Sequence, residues 1–272
     1  MHTIANLDTV KTRMKGAWNA GDYGRFATYM EPGAVEILNS WNIKPGQSML
    51  DVACGTGQIS IPAARAGVKV MGVDIADNSI NFARTRARAE SLDAEFEVGD
   101  AESLEYKDNS FDVVATIVGA MFAPRPDKVA SELLRVSKPG GRILMVNWTP
   151  TGMVGHMFKT IGQYVPPPSD VPPPALWGVE EIVKDRFGEN ISSLKLQRKH
   201  YPLWHYPFGV PEVVQFFFDC YGPTEKAYHS LDNDGKKSLR AGLEKVFSEY
   251  NISTDETTLF ESEYLEVEAV KK

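Results

Sequence analysis

Leu50-Asp51-Val52-Ala53-Cys54-Gly55-Thr56-Gly57-Gln58 joins an apolar run that begins at Ser48 to a helical pattern that starts at Ile59. Two glycines at a strand-to-helix turn let the backbone approach a ligand closely, as a nucleotide site in a doubly wound α/β sheet requires. The glycines alone do not name the ligand. A dinucleotide fingerprint would place a third glycine three residues after the second, where Ser60 stands, and would turn the helix N-terminus toward a pyrophosphate. Here an aspartate, Asp51, stands near the end of the strand. Its charge would repel phosphate and suits a ligand carrying an ammonium group and a sulfonium.

Working outward, the turn Lys44-Pro45-Gly46-Gln47 leads into a buried strand over 48–54, and further strands are expected over 69–75, 94–99, 113–118 and 142–147. Helical patterns separate them, which means βαβ units and a parallel sheet covered on both faces. Asp74 ends the second strand about 20 residues past the loop, where an acid meets the two ribose hydroxyls of an adenosine ligand. Val98-Gly99-Asp100-Ala101 puts another acid at the end of the third, placed to accept from an adenine amino group. Any one of these acids could simply cap a turn. Three of them with a glycine loop, at consecutive strand ends, mark the ligand-binding edge of an open α/β sheet.

Before the first strand, Val10, Met14 and Trp18 recur at helical spacing, Gly21-Asp22 breaks the pattern, a short helix surrounds Phe26 and Tyr29, and a further one covers 34–41. After Trp148 the chain changes character. Pro166-Pro167-Pro168 and Pro172-Pro173-Pro174 cannot sit inside a sheet or helix interior and read either as a stiff surface connection or as a lid edge beside a pocket. Helices are expected over 179–187, 210–218 and 235–250, a strand over 194–200, and a last strand over 260–270 near a sheet edge.

At 272 residues with 43% hydrophobic and 24% charged residues, the chain is ordinary for a folded protein. A net charge of −7 argues against nucleic acid as a partner, and Arg84, Arg86 and Arg88 read as a solvated helix face. No stretch reaches the roughly 18 apolar residues of a membrane span, and no leader pattern is seen, so a cytoplasmic protein without stable membrane insertion is expected. Cys54 and Cys220 fit reduced thiols. No metal-ligand set is read, and nothing bears on oligomeric state.

Taken together these features resemble the class I S-adenosylmethionine (SAM)-dependent methyltransferases. The matching segments are Leu50 to Gly57, Asp74 as the ribose acid, Gly99-Asp100-Ala101-Glu102 as the adenine segment, Phe111-Asp112-Val113-Val114, and Arg135-Val136-Ser137-Lys138-Pro139-Gly140-Gly141-Arg142. They run from about Trp41 to Trp148 and are most similar to small-molecule methyltransferases related to the ubiquinone and menaquinone C-methyltransferases. Trp177-Gly178 and Glu263-Tyr264-Leu265 are similar to features of uncharacterised bacterial relatives.

The resemblance implies a doubly wound, mostly parallel seven-stranded sheet of order 3-2-1-4-5-7-6 with the last strand antiparallel. In one domain over 1–272, N-terminal helices (1–47) would precede a SAM-binding core (48–148), a proline-rich cap or connection (149–193), and the sheet completion with substrate-side helices (194–272). It also implies that Ala53, Gly55 and Gly57 lie against the methionine part of SAM, that Ile75 lies beside the adenine, and that Ile117 lies near the amino acid moiety. Asp51, Asp74, Asp100, Ala101 and Glu102 complete the set, with S-adenosylhomocysteine (SAH) as the product. Trp18 either closes over the cofactor or packs as a core tryptophan.

Methyl transfer from a sulfonium is an in-line displacement, in which alignment in a dry pocket supplies much of the acceleration. If a proton must leave, His156, His200, His205 and His229 are bases by residue type, and none is assigned as catalytic. Aromatic and apolar residues after the strands, among them Phe122, Trp148, Met157, Trp204 and Tyr206, suit a small hydrophobic acceptor, or else form a second core. Two other readings stand beside methyl transfer: a SAM-binding protein with lost or repurposed catalysis, and a nicotinamide-dependent oxidoreductase, which the missing third glycine and Asp51 disfavour.

Overall fold

The structure, a computed structural model, describes residues 6–272. Its strands are β1 (Ser48–Val52), β2 (Lys69–Asp74), β3 (Ala94–Val98), β4 (Phe111–Ile117), β5 (Ser137–Trp148), β6 (Ile191–His200), β7 (His205–Tyr206), β8 (Thr258–Leu259) and β9 (Glu263–Lys271). Seven of them form one sheet of order β3-β2-β1-β4-β5-β9-β6, in which β9 runs antiparallel to both neighbours. With the short β7–β8 pair set aside, this is the expected 3-2-1-4-5-7-6 order.

The strands stop where the backbone leaves extended geometry. Ala53 and Val118 take φ of 57° and 45°, so β1 and β4 end one residue before each. A β-branched valine in that region is strained and persists only where its surroundings hold it. β5 begins at Ser137 rather than at residue 142, because Lys138-Pro139-Gly140-Gly141 bulges within the ladder: Phe111 pairs with Ser137 and Val113 already with Arg142. The last strand departs from expectation too. Tyr264, Leu265, Glu266 and Val267 are buried in succession, because β9 lies between β5 and β6 with both faces covered. Trp41 Nε1 donates to buried Glu266 at 3.1 Å, and Lys199 pairs with the same carboxylate.

The helices are α1 (Leu7–Trp18), α2 (Tyr23–Ala27), α3 (Glu31–Ser40), α4 (Ser60–Arg65), α5 (Asp77–Ala89), α6 (Pro126–Val136), α7 (Met153–Tyr164), α8 (Glu180–Phe187), α9 (Val210–Cys220), α10 (Gly222–His229) and α11 (Asn233–Tyr250). α4 and α5 pack on β2 and β3, whereas α6 packs on β4 and β5 beside α8. Right-handed crossovers running opposite ways from β1 put these two groups on opposite faces and open a crevice at the switch between β1 and β4. Above that edge α11 packs on α7 and α9, α10 on α9 and α1, and α2 on α9. The stretch 149–193 is therefore divided: α7 belongs to this upper layer and α8 to a sheet face. Between them Pro166, Pro167 and Pro168 lie in an exposed irregular segment, whereas Pro174 opens a short 3-10 helix, Pro174–Gly178, that buries Trp177. No helix among the described residues is long and apolar enough to cross a membrane.

The arginine run on α5 is not simply solvated. Arg86 pairs with Glu31 at 2.6 Å and donates to the Thr56 carbonyl, and Arg84 Nε donates to the Phe96 carbonyl at 2.9 Å. Only Arg88 of the three is exposed.

Leu50 is wholly buried in β1, the strand between β2 and β4. Leu50→Ala is expected to cost about 3 kcal/mol or more in chemical denaturation; a loss below about 1 kcal/mol would contradict its central packing.

Candidate active site

The crevice at the strand ends holds a cleft of about 1060 Å³, its open mouth included. β1 and its loop contribute Asp51, Ala53 and Gly55; β2 contributes Asp74 and Ile75. From the ends of β3 and β4 come Asp100, Ala101 and Ile117, and α1 contributes Trp18. Nine of the eleven residues singled out in the sequence therefore share one wall; Gly57 and Glu102 do not.

The loop after β1 is shaped by backbone constraint. Gly55 has φ of 54°, and a Cβ there would stand 2.9 Å from the Gln58 side chain and 3.1 Å from the Tyr23 ring. A Cβ on Gly119 would meet the Ala53 Cβ at 2.6 Å, so the loops after β1 and β4 touch with no room to spare. Gly57 sits behind the wall, its N–H donating to the Cys54 carbonyl at 2.9 Å. It shapes the turn without facing the cleft.

The three acids are in different states. Asp51 is 1% exposed, accepts from Ser60 Oγ at 2.6 Å, and has no basic partner among the described residues. Burial, partly offset by the Ser60 hydrogen bond, raises its pKa to about 7. Asp74 accepts the Gly55 and Ala76 N–H groups, each at 2.8 Å, and so stitches the glycine loop to β2. Burial raises its pKa despite these bonds. Each oxygen keeps a second lone pair for a ligand hydroxyl. Asp100 is paired with Lys11, which reaches down from α1 and also meets Glu102 at 2.5 Å. The Glu102 side chain is fully enclosed, its other bonds coming from the Arg125 N–H at 2.6 Å and Arg125 Nε at 2.8 Å. It joins α1 to the segment before α6 rather than facing the cleft. Arg125, which carried no role in the sequence, is its partner.

A family model described as a methyltransferase domain matches residues 43–164. An uncharacterised protein of Mycobacterium tuberculosis (strain H37Rv) is 34% identical over 266 residues, covering 97% of this chain and 96% of that protein. The chain belongs to the class I SAM-dependent methyltransferases. Within that family, the demethylmenaquinone methyltransferase of Renibacterium salmoninarum is 39% identical over 113 residues, 42% of this chain and 46% of that protein. Among solved structures, a Haemonchus contortus phosphoethanolamine N-methyltransferase, in complex with phosphomonomethylethanolamine and SAH, superposes with a TM-score of 0.55. It is 23% identical, over 88% of this chain and 52% of that one, a likeness of fold.

In this methyltransferase none of the four candidate histidines lines the cleft. His156 Nδ1 lies 3.0 Å from the Tyr250 hydroxyl, His200 and His229 stand 3.8 and 3.9 Å from Glu261 and Glu225, and His205 is exposed on β7. Several wall residues escaped the sequence reading, among them Lys11, Tyr23, Val118 and Gly119. A signal existed for the first: Lys11, Met14 and Trp18 fall at i, i+3 and i+7 on α1, and all three face the cleft.

Because the folded protein holds the Asp51 proton up to about pH 7 and an unfolded chain releases it near 4, this group stabilises the ligand-free fold at low pH. That contribution is lost as pH rises through 7. Asp51→Asn, which cannot ionise, is expected to be more stable than the wild type by a few kcal/mol at pH 8 and to show a flatter profile in denaturation between pH 5 and 8. Parallel profiles would show that Asp51 carries no such proton.

Proposed function

We propose that the cleft binds SAM and that the protein transfers its methyl group to a small, apolar metabolite. The observation that carries the reading is Asp51, a buried carboxylate with one hydroxyl donor and no cation beside it among the described residues. A buried charge without a counter-charge is costly, and a cationic ligand removes the cost. An α-ammonium group fits there, whereas a pyrophosphate would meet like charge.

The remaining residues take roles consistent with that anchor. Ala53 and Gly55 bring backbone against the amino acid part, with Ile117 at its side. Asp74 accepts from the ribose hydroxyls through its spare lone pairs. Ile75 flanks the adenine, and Asp100 with Ala101 meets its amino edge while Lys11 holds Asp100 in place. Trp18 covers the mouth. Gly57 and Glu102 act at one remove, by shaping the turn and by anchoring α1.

When bound, SAM supplies an electrophilic methyl group on a positively charged sulfur. The chain's own contribution is alignment and exclusion of water: Met14, Trp18 and Phe122 make the approach apolar, and the strained Val118 and the close Ala53–Gly119 contact hold the floor rigid. The family resemblance to a demethylmenaquinone methyltransferase supports an apolar acceptor.

Calorimetric titration tests the cofactor reading. SAM and SAH are expected to bind and to raise the melting temperature, NAD is not, and Asp51→Asn is expected to weaken SAM by about 100-fold, the value of a lost buried charge pair. Stabilisation by NAD alone would overturn the proposal. Transfer of label from methyl-labelled SAM into a product of a cell extract is the expected readout of catalysis.

A further inference from the structure

The walls of the cleft are not equally fixed. Asp51, Asp74 and Ile117 belong to strands of the sheet and move only with it, whereas Lys11, Met14 and Trp18 come from α1, a helix with no fully buried residue. The C-terminal end of α1 is clamped. It packs on α10, where a Cβ on Gly222 would stand 1.9 Å from the Ala17 carbonyl oxygen, and Trp18 makes edge contacts with Phe122 at 5.0 Å and Tyr221 at 5.6 Å. Asn19, just beyond, accepts the Asn78 N–H of α5 at 3.2 Å.

The part before it, Leu7 to Lys15, is tethered through charges. Lys15 pairs with Asp77 at 2.7 Å, but both side chains are well exposed, and such a pair contributes little. Lys11 carries the stronger tether, to Asp100 and to enclosed Glu102. This tether can open without stranding a buried charge: Glu102 keeps Arg125, and Asp100, its side chain 30% exposed, keeps the Glu102 N–H at 2.9 Å. Between the two parts stands Gly16. A glycine inside a helix weakens it about fivefold relative to alanine, and no close neighbour demands one here, because an added Cβ would meet nothing within 4 Å.

We infer that Leu7 to Lys15 is a movable wall of the cleft, bending at Gly16 and latched by Lys11 on Asp100 and Glu102. A ligand that fills the cleft touches this wall, and the wall yields at lower cost than the sheet, so the latch sets how fast such a ligand exchanges. That consequence rests on the cofactor reading above; the movement itself does not. Salt screens the part-exposed contact between Lys11 and Asp100, so exchange quickens with ionic strength. Lys11 is a positioning residue, acting through Asp100 and the helix rather than on the transferred methyl group.

The test follows the full chain by amide hydrogen exchange without ligand, and by stopped-flow association and dissociation of SAH read through tryptophan fluorescence. Amides of residues 11–16 are expected to exchange faster than those of α9, about tenfold faster again in Lys11→Met, and about fivefold slower in Gly16→Ala. A wall that must open changes association and dissociation together. Both SAH rates are expected to rise in Lys11→Met and at high salt, and to fall by up to about fivefold in Gly16→Ala with its affinity nearly unchanged. Equal amide exchange in α1 and α9, exchange unaffected by both variants, or SAH kinetics that either ignore Gly16→Ala or change in dissociation alone would overturn the movable wall. No SAH binding, with the amide pattern intact, would overturn the cofactor reading and leave the wall standing.

Discussion

A carboxylate buried at the end of β1, with one serine hydroxyl and, among the described residues, no cation to answer it, is the constraint around which this methyltransferase is arranged. Asp51 cannot be moved to solvent, since it belongs to a strand flanked by β2 and β4, nor is it replaced by an apolar residue of better fit. The fold tolerates it by letting it hold a proton up to about pH 7, which leaves the group ready to ionise when a positive charge arrives. Such a displaced carboxyl in a cleft is a candidate binding position with a physical reason attached.

The neighbouring acids show how the rest of the edge is prepared. Asp74 spends part of its capacity on the Gly55 and Ala76 amides, so the glycine loop is fixed by the residue proposed to bind the ribose. Asp100 is held by Lys11, and the same lysine ties enclosed Glu102 to α1. α1 itself has no fully buried residue. Its attachment over the cleft therefore depends heavily on this ion cluster and on the Trp18 ring contacts, which places the helix among the less firmly anchored parts of the molecule. Farther in, the wall becomes aromatic and uncharged. One ligand-binding edge thus passes from charged to apolar in the order in which a cationic cofactor and an apolar acceptor would occupy it.

Much of this was legible in the sequence because it is locally encoded. The glycine loop, the acids ending β1 to β3, and the alternation of strand and helix each lie within a few residues of one another, whereas the strand order was implied by the family resemblance and not by any local pattern. What was not legible depends on partners distant in the chain. The Pro-Gly-Gly of β5 looks like a turn until its ladder with β4 absorbs it as a bulge. Glu266 looks like a solvent-facing residue until Trp41 and Lys199 close on it. Glu102 belongs to the adenine motif by pattern, yet Arg125 and Lys11 turn it to an anchoring task. The histidines had the right chemistry for a base and the wrong location, which residue type alone cannot reveal. Tyr23 carried no motif at all; its position beside Gly55 exists only in the folded chain.

If Asp51 is the cation anchor, binding must displace its proton, because the ligand favours the ionised carboxylate. Calorimetry of SAM binding at pH 6.5 in buffers of different ionisation enthalpy counts that proton. The account predicts release of roughly half a proton or more per site in the wild type and almost none in Asp51→Asn. Tight SAM binding with no proton released, or with equal release from both proteins, would contradict it.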